Sequence, residues 1–292
     1  MASLSTLLAI INPLSGTASQ TQREQLRLYL ARKAEQAGYT AEIIVTTHPG
    51  HATELATAAV RQGIGRILAV GGDGTINETA RALRRSASAL GIVPRGSGNG
   101  LARHLGIPLD PKKAIDKALS GKPVVIDSGE IGEHPFFCTA GMGFEAYIAH
   151  LFAQQPTRGL PTYIRTAYGA FWSYKPRTYS INGHEKSLFS LTFANAAQFG
   201  NNAWIAPQAN IADGRLDQCE TKPFPKLVSG AIVWRLFNRT LDGSAYWQGE
   251  SITKSVVASS QPLMIHADGE PIMLLENECE VRVLPGSLLV LL

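Results

Sequence analysis

The chain opens with short apolar runs alternating with amphipathic stretches. Residues 6–11 are an apolar run that stops at Asn12-Pro13, a turn signal. Thr21 and Glu24 have the spacing of a capping box, in which a hydroxyl and a carboxylate satisfy the free amides of a helix start. The helix that follows carries Leu26, Leu30, Ala34 and Ala37 on one face and ends at Gly38. Residues 41–46 read as a strand and 51–62 as a helix of small residues. Residues 66–70 read as a buried strand, because the apolar positions do not alternate with polar ones. A tight loop at 71–75, a helix to about residue 85, a strand at 90–93 and a short helix capped by Asp110, with Pro111 at its first position, continue the rhythm. Such a pattern predicts a Rossmann-like parallel sheet with flanking helices over residues 1–123.

After Pro123 the period changes. Residues 124–131, 136–140, 177–181, 188–195, 215–220, 255–258, 263–267, 272–275 and 280–284 read as strands, and Asn182-Gly183 is a hairpin turn signal. Helical stretches interrupt them near 144–153, 162–174 and 226–237. The expected fold class is therefore α/β plus mainly-β. An antiparallel β-sandwich with inserted helices would occupy residues 124–284, a nucleotide cleft would lie between the two domains, and segment 285–292 is a candidate to complete the first. A length of 292 residues fits two domains.

Composition narrows the classes. With 45% hydrophobic and 17% charged residues, a disordered, collagen-like or coiled-coil chain is excluded. Cys138, Cys219 and Cys279 share no CxxC spacing, which argues against a disulfide scaffold or structural zinc. No apolar run approaches the roughly 20 residues of a membrane span, and the amino terminus lacks a basic leader region, so a cytoplasmic location is expected. The net charge of +4 is uneven: residues 1–123 carry +7 and residues 124–292 carry −3. An anionic ligand would be expected on the basic half.

Gly71-Gly72-Asp73-Gly74-Thr75 follows a buried strand and opens a helix. Three glycines in four positions let backbone amides approach phosphate oxygens at the positive end of that helix, and Thr75 adds a hydroxyl. Asp73 would repel phosphate, so its carboxylate makes sense holding Mg²⁺ or accepting a proton. A turn whose glycines serve only geometry is the alternative. Asn12-Pro13-Leu14-Ser15-Gly16 and Pro94-Arg95-Gly96-Ser97-Gly98-Asn99-Gly100 follow two other strands and would share the same sheet edge. Residues 46–51, with Thr46 and His48, form a fourth loop after the second strand, for which an ordinary Pro-Gly turn is an equal alternative. None has the P-loop or dinucleotide fingerprint.

The ordered set NPxSG, TTxxGHA, GGDGTxNE and PRGSGNxLA resembles the diacylglycerol kinase catalytic-domain family, which includes bacterial lipid kinases and sphingosine kinases. The resemblance continues through Asp127-Ser128-Gly129, Ala140-Gly141-Met142-Gly143-Phe144, Asn195-Ala196 and Ala212-Asp213-Gly214-Arg215-Leu216-Asp217 to His266-Ala267-Asp268-Gly269-Glu270-Pro271. It implies an ATP- and Mg²⁺-dependent lipid kinase. Asn12, Pro13, Ser15, Gly16, Thr46, Gly71, Gly72, Gly74, Thr75, Asn77, Glu78 and Ser97 would surround the nucleotide. Glu270 would be general base toward the lipid hydroxyl, with Asp268 and Asp73 completing a Mg²⁺-linked network. Asp213, with the backbone carbonyls of Asn210 and Arg215, matches a second, structural Mg²⁺ site. Glu145 matches a position near the lipid headgroup.

From the residues alone, Asp268-Gly269 and Asp213-Gly214 serve a hairpin turn equally well. Residues 146–184 contain no Asp or Glu, but hold Arg158, Arg165, Lys175 and Arg177 among tyrosines, phenylalanines and Trp172. That mixture suits peripheral contact with an anionic membrane, and an aromatic core helix with a solvated basic face is the alternative. No nucleic-acid motif is present, and a homodimer stays open. The seven histidines show no metal-like spacing, and His266, beside the Asp268-Gly269-Glu270 turn, reads as structural, with orientation of a carboxylate as the alternative. Two other functions stay in view: a NAD kinase or phosphofructokinase-like GGDG kinase, and a nucleotide-binding regulatory protein without catalysis.

Overall fold

The computed structural model describes residues 5–16, 19–157 and 159–292, so Arg158 lies outside the described residues. The chain divides into two compact units, Met1–Ile126 with Gly286–Leu292, and Asp127–Pro285.

The first unit contains β1 (Ser5–Ile11), α1 (Gln20–Gln36), β2 (Tyr39–Val45), α2 (His51–Arg61), β3 (Arg66–Gly71), α3 (Asp73–Leu83), β4 (Ala89–Pro94), a one-turn α4 (Gly100–His104) and α5 (Pro111–Ser120). The strands lie in the order β2-β1-β3-β4, all parallel. β3 and β4 are buried almost throughout because helices cover both faces of such a sheet. α1 packs with α5 and α2 with α3, the two-sided cover that right-handed crossovers produce. The order reverses between β1 and β3. Loops leaving their carboxyl ends therefore flank a topological switch point, where open α/β sheets take ligands.

The cap of α1 differs from the sequence expectation. The helix begins at Gln20, so the extended residue before it is Ser19. Its Oγ accepts from Gln22 N at 3.3 Å, and Gln22 Oε1 accepts from Ser19 N at 2.9 Å. Thr21 is already inside the first turn, and Glu24 pairs with Arg27 instead.

Next along the chain come β5 (Pro123–Ile131), β6 (His134–Phe136), β7 (Thr139–Gly143), α6 (Phe144–Ala153), α7 (Leu160–Ser173), β8 (Arg177–Ile181), β9 (His184–Leu188), β10 (Ser190–Ala194) and β11 (Leu216–Thr221). A 3-10 turn (Lys226–Val228), α8 (Ser229–Phe237), β12 (Trp247–Ile252), β13 (Lys254–Ala258), β14 (Met264–Ala267), β15 (Glu270–Met273) and β16 (Glu278–Leu291) complete it. In the second unit one sheet runs β12-β11-β10-β7-β14-β15, antiparallel throughout. The other sheet contains the opening residues of β16, then β13, β8 and β9. Phe136, Met142, Leu191, Phe193, Val257, Ile265 and Val281 belong to the buried core of this unit. The closing residues of β16 belong to the first unit, where Leu289 and Val290 pair in parallel with Ala89 and Leu90 of β4.

Two strands have no counterpart in the sequence pattern. β9 (HEKSL) is mostly exposed, and its pairing with β8 is set by the two-residue turn at Asn182 and Gly183, both at positive φ. β12 is an edge strand with four of its six positions exposed. The single run expected at 136–140 is broken in two at Phe137 and Cys138 for a reason that belongs to the site.

Candidate active site

In the first unit three loops meet at the switch point. The Asn12 Nδ2 donates to Thr75 Oγ1 at 3.0 Å, tying the loop after β1 to the start of α3. The Thr75 O–H hydrogen remains a donor. Gly16 (φ +69) lies so close to the next loop that a Cβ there would stand 2.9 Å from the Arg95 carbonyl oxygen. A Cβ on Gly96 would stand 2.8 Å from Gly72 Cα. The glycines of these loops thus serve backbone-to-backbone packing as well as phosphate approach. α3 starts from Gly72 with no side-chain cap, which leaves its first-turn amides and the positive end of its dipole to an anion.

Asp73 is the fastener of this arrangement. Its carboxylate accepts from Asn99 N at 2.9 Å and from Gly100 N at 3.0 Å, the start of α4. Burial pushes its pKa up, and the two amides oppose that rise. Asn99, at φ +51, closes its own loop by exchanging hydrogen bonds with Gly96 N and O at 2.9 and 2.8 Å.

Glu78, expected around the nucleotide, has its carboxylate on the fourth loop. It accepts from Gly50 N at 3.1 Å and Ala52 N at 3.2 Å, capping α2 from the neighbouring helix. Thr46 is held by its own amide, which donates to Ile11 O. Ser97 is exposed at the loop tip, and Asn77 is buried. On the same fourth loop, ligand atoms of His48, His51 and Glu54 come within 4.8 Å of one another, a grouping the histidine spacing had not suggested.

In the second unit Asp268 sits in a cradle of amides. Its carboxylate accepts from Phe137 N, Cys138 N and Thr139 N at 2.9, 2.8 and 3.1 Å. The first two of these amides turn between β6 and β7, and Thr139 opens β7. Asp268 (φ +50) and Gly269 (φ +84) make the turn, and Glu270 opens β15 on the exposed side. His266 is 2% exposed and, among the described residues, neither ring nitrogen has a partner, so it does not orient the acids. Burial lowers its pKa to about 4, which keeps it neutral.

The 210–217 loop is built from local turns. Asn210 Oδ1 accepts from Ala212 N at 3.1 Å, and Asp213 Oδ1 from Arg215 N at 3.0 Å. Asp127 Oδ2 reaches Gly214 N at 2.7 Å, a clamp the sequence did not signal. The Arg215 guanidinium is held by Ser251. Burial and then the neighbouring Asp213 carboxylate push the Asp217 pKa up. Two oxygen-rich acids that repel one another fit a hard cation such as Mg²⁺.

Glu145, in the first turn of α6, accepts from Ser190 Oγ. Burial raises its pKa to about 7. Phe144, Tyr174 and Phe189 pack as an aromatic group beside it.

Comparison with known proteins matches the chain in two parts. The family described as "Diacylglycerol kinase catalytic domain" matches residues 6–131, and that described as "YegS C-terminal NAD kinase beta sandwich-like domain" matches residues 139–292. A Chromohalobacter salexigens protein named "Probable lipid kinase YegS-like" is 30% identical, covering 88% of this chain and 85% of the relative. The "Diacylglycerol kinase" of Bacillus subtilis (strain 168) is 32% identical, covering 71% of each. A crystal structure of a diacylglycerol kinase from Bacillus anthracis str. Sterne shares the fold at a TM-score of 0.72 and 16% identity, covering 100% of this chain and 98% of that one. The ordered loops, the parallel sheet that carries them and these relatives lead to one assignment: the chain belongs to the lipid-kinase family built from a diacylglycerol kinase catalytic domain and a YegS-type C-terminal domain.

Proposed function

We propose that the protein is an ATP-dependent lipid kinase that transfers the γ-phosphate to a hydroxyl of a diacylglycerol-like or sphingoid lipid. The observation that carries this reading is the Asp73 clamp. It holds two glycine loops together at the switch point and leaves the uncapped start of α3 for phosphate. Asn12, Pro13, Ser15, Gly16, Thr46, Gly71, Gly72, Gly74, Thr75, Asn77 and Ser97 are the residues we assign to the nucleotide. Glu78 keeps the 46–51 loop in place for it. Glu270 takes the proton of the acceptor hydroxyl, and Asp268 holds the turn that presents Glu270. Glu145, protonated up to about neutral pH, offers the headgroup a hydrogen-bond donor as well as acceptors.

Magnesium, when bound, would neutralise phosphate charge as it does across phosphoryl transfer. Asp213, Asn210 and Arg215, with Asp217 beside them, are the residues we assign to a second, structural magnesium. Among the described residues no helix is long and apolar enough to cross a membrane, so a lipid acceptor would be met at a bilayer surface.

Incubation with γ-labelled ATP and a panel of diacylglycerol, sphingoid base, phosphatidylglycerol, NAD and fructose 6-phosphate tests the reading. Label in a lipid supports it. Label in NAD or the sugar phosphate alone, or ATP binding without turnover on any acceptor, replaces it with one of the two other functions.

A further inference from the structure

Two helical segments of the second unit bury little of their apolar surface. On α7, Ile164, Tyr168 and Trp172 recur every four residues, at 57%, 68% and 52% exposure, and so form one ridge. In the 226–237 segment, Leu227 is 98% exposed and Trp234 61%, with Phe237 on the same side of α8. The opposite side of α8, Ile232 and Leu236, packs against a small core around Ile205 and Leu241. The outward residues are therefore not needed to hold the helix in place.

The two segments form one surface. Lys226 Nζ donates to the Trp172 carbonyl oxygen at 2.7 Å and stands 5.0 Å over the Trp172 ring. Phe171 meets the Trp172 ring edge-on at 5.7 Å and stacks with Phe224, with centroids 6.2 Å apart. An apolar patch of this kind on a water-exposed face marks a contact surface.

The charge pattern selects the partner. Residues 146–184 and 221–241 contain no Asp or Glu, while Arg165, Lys222 and Lys226 are exposed among the apolar positions. A second copy of the chain would bring this basic face against itself, and lysine is depleted in protein interfaces. Tryptophan, tyrosine and leucine interleaved with lysine and arginine are the composition of a surface that inserts at a headgroup boundary. We infer that the outer faces of α7 and of the 226–237 segment together dock the protein onto an anionic lipid bilayer. The inference rests on the lipid-kinase reading only for its purpose, since an acceptor that resides in a bilayer must be reached there.

The test is co-sedimentation of the full chain, without nucleotide, with vesicles of phosphatidylcholine alone or mixed with phosphatidylglycerol. The wild type is expected to bind the mixed vesicles. Leu227→Ser with Trp234→Ser is expected to weaken that binding roughly tenfold or more, the loss of two buried apolar side chains. Lys222→Gln is expected to weaken it about fivefold, the worth of one basic residue at an anionic surface. All three side chains are exposed or at the surface, and an unchanged melting temperature checks that the variants are folded.

Wild type that ignores phosphatidylglycerol vesicles would overturn the inference, as would variants that bind like wild type. A dimer lost in the variants with vesicle binding unchanged would reassign the surface to self-association. Phosphate transfer to lipid in detergent micelles, measured in parallel, keeps the two readings apart. Transfer absent from every protein while vesicle binding is lost in the variants would end the kinase reading and leave the docking surface standing.

Discussion

The carboxylate of Asp73 accepts the backbone N–H of Asn99 at 2.9 Å, across 26 positions of sequence. With the second bond from Gly100 it fixes the loop after β4 on the start of α3. Asp73→Asn leaves one oxygen to serve two amides and turns an N–H toward the other. Melting should therefore shift by the equivalent of about 1–3 kcal/mol, and ATP binding by calorimetry should be lost. A variant with wild-type melting and no transfer would give Asp73 a purely chemical role instead.

Gly96 tests the same packing through volume. Alanine there would place its Cβ 2.8 Å from Gly72 Cα, a backbone atom that has nowhere to go. Gly96→Ala should weaken ATP binding at least about tenfold, on the order of the 1–3 kcal/mol cost of overpacking. Gly65→Ala, where no atom of the described residues lies within 4 Å, should bind as wild type and serves as the control.

Much of the first unit was legible because each of its signals is local. Glycine runs, strand-ending turns and the Asp110–Pro111 helix start fall within a few residues of what they determine. The site's fasteners are not local. Glu78 caps a helix 26 to 28 positions upstream, and Asp268 gathers amides from about 130 positions away. Their residue types signal chemistry, yet their acceptor oxygens serve architecture. β9 and β12 were illegible for another reason: edge strands facing water carry no apolar alternation.

Glu78→Gln should separate binding from chemistry. One of its two bonds to the fourth loop is lost, so KM for ATP should rise severalfold while kcat changes little. A kcat that falls with KM unchanged would place Glu78 at the reacting phosphate.

Glu145 predicts a pH slope. Its folded pKa of about 7 lies above the ordinary 4.5, so between those values the folded state holds a proton the unfolded chain has released. The stabilisation is complete below 4.5 and lost as pH rises through 7, at most about 3 kcal/mol. His266, neutral in the fold with a pKa of about 4, acts with the opposite sign: its contribution is present above 6.5 and lost as pH falls through 4. The two overlap, so single variants are needed. Urea midpoints of Glu145→Gln should fall less steeply than wild type from about pH 5 to pH 8. Equal slopes would mean that Glu145 is ionised in the fold.

The central claim is that Glu270 accepts the proton of a lipid hydroxyl while the glycine loops hold ATP. Its most direct test is the γ-label recovered in the organic phase after incubation with diacylglycerol and sphingoid base, comparing wild type with Glu270→Gln. Glu270 is exposed on β15, so the variant should melt like wild type and still bind ATP. The account predicts labelled lipid from wild type and a loss of at least about a hundredfold in the variant, the scale of general-base catalysis. Full transfer by Glu270→Gln, or no labelled lipid from wild type, would contradict it.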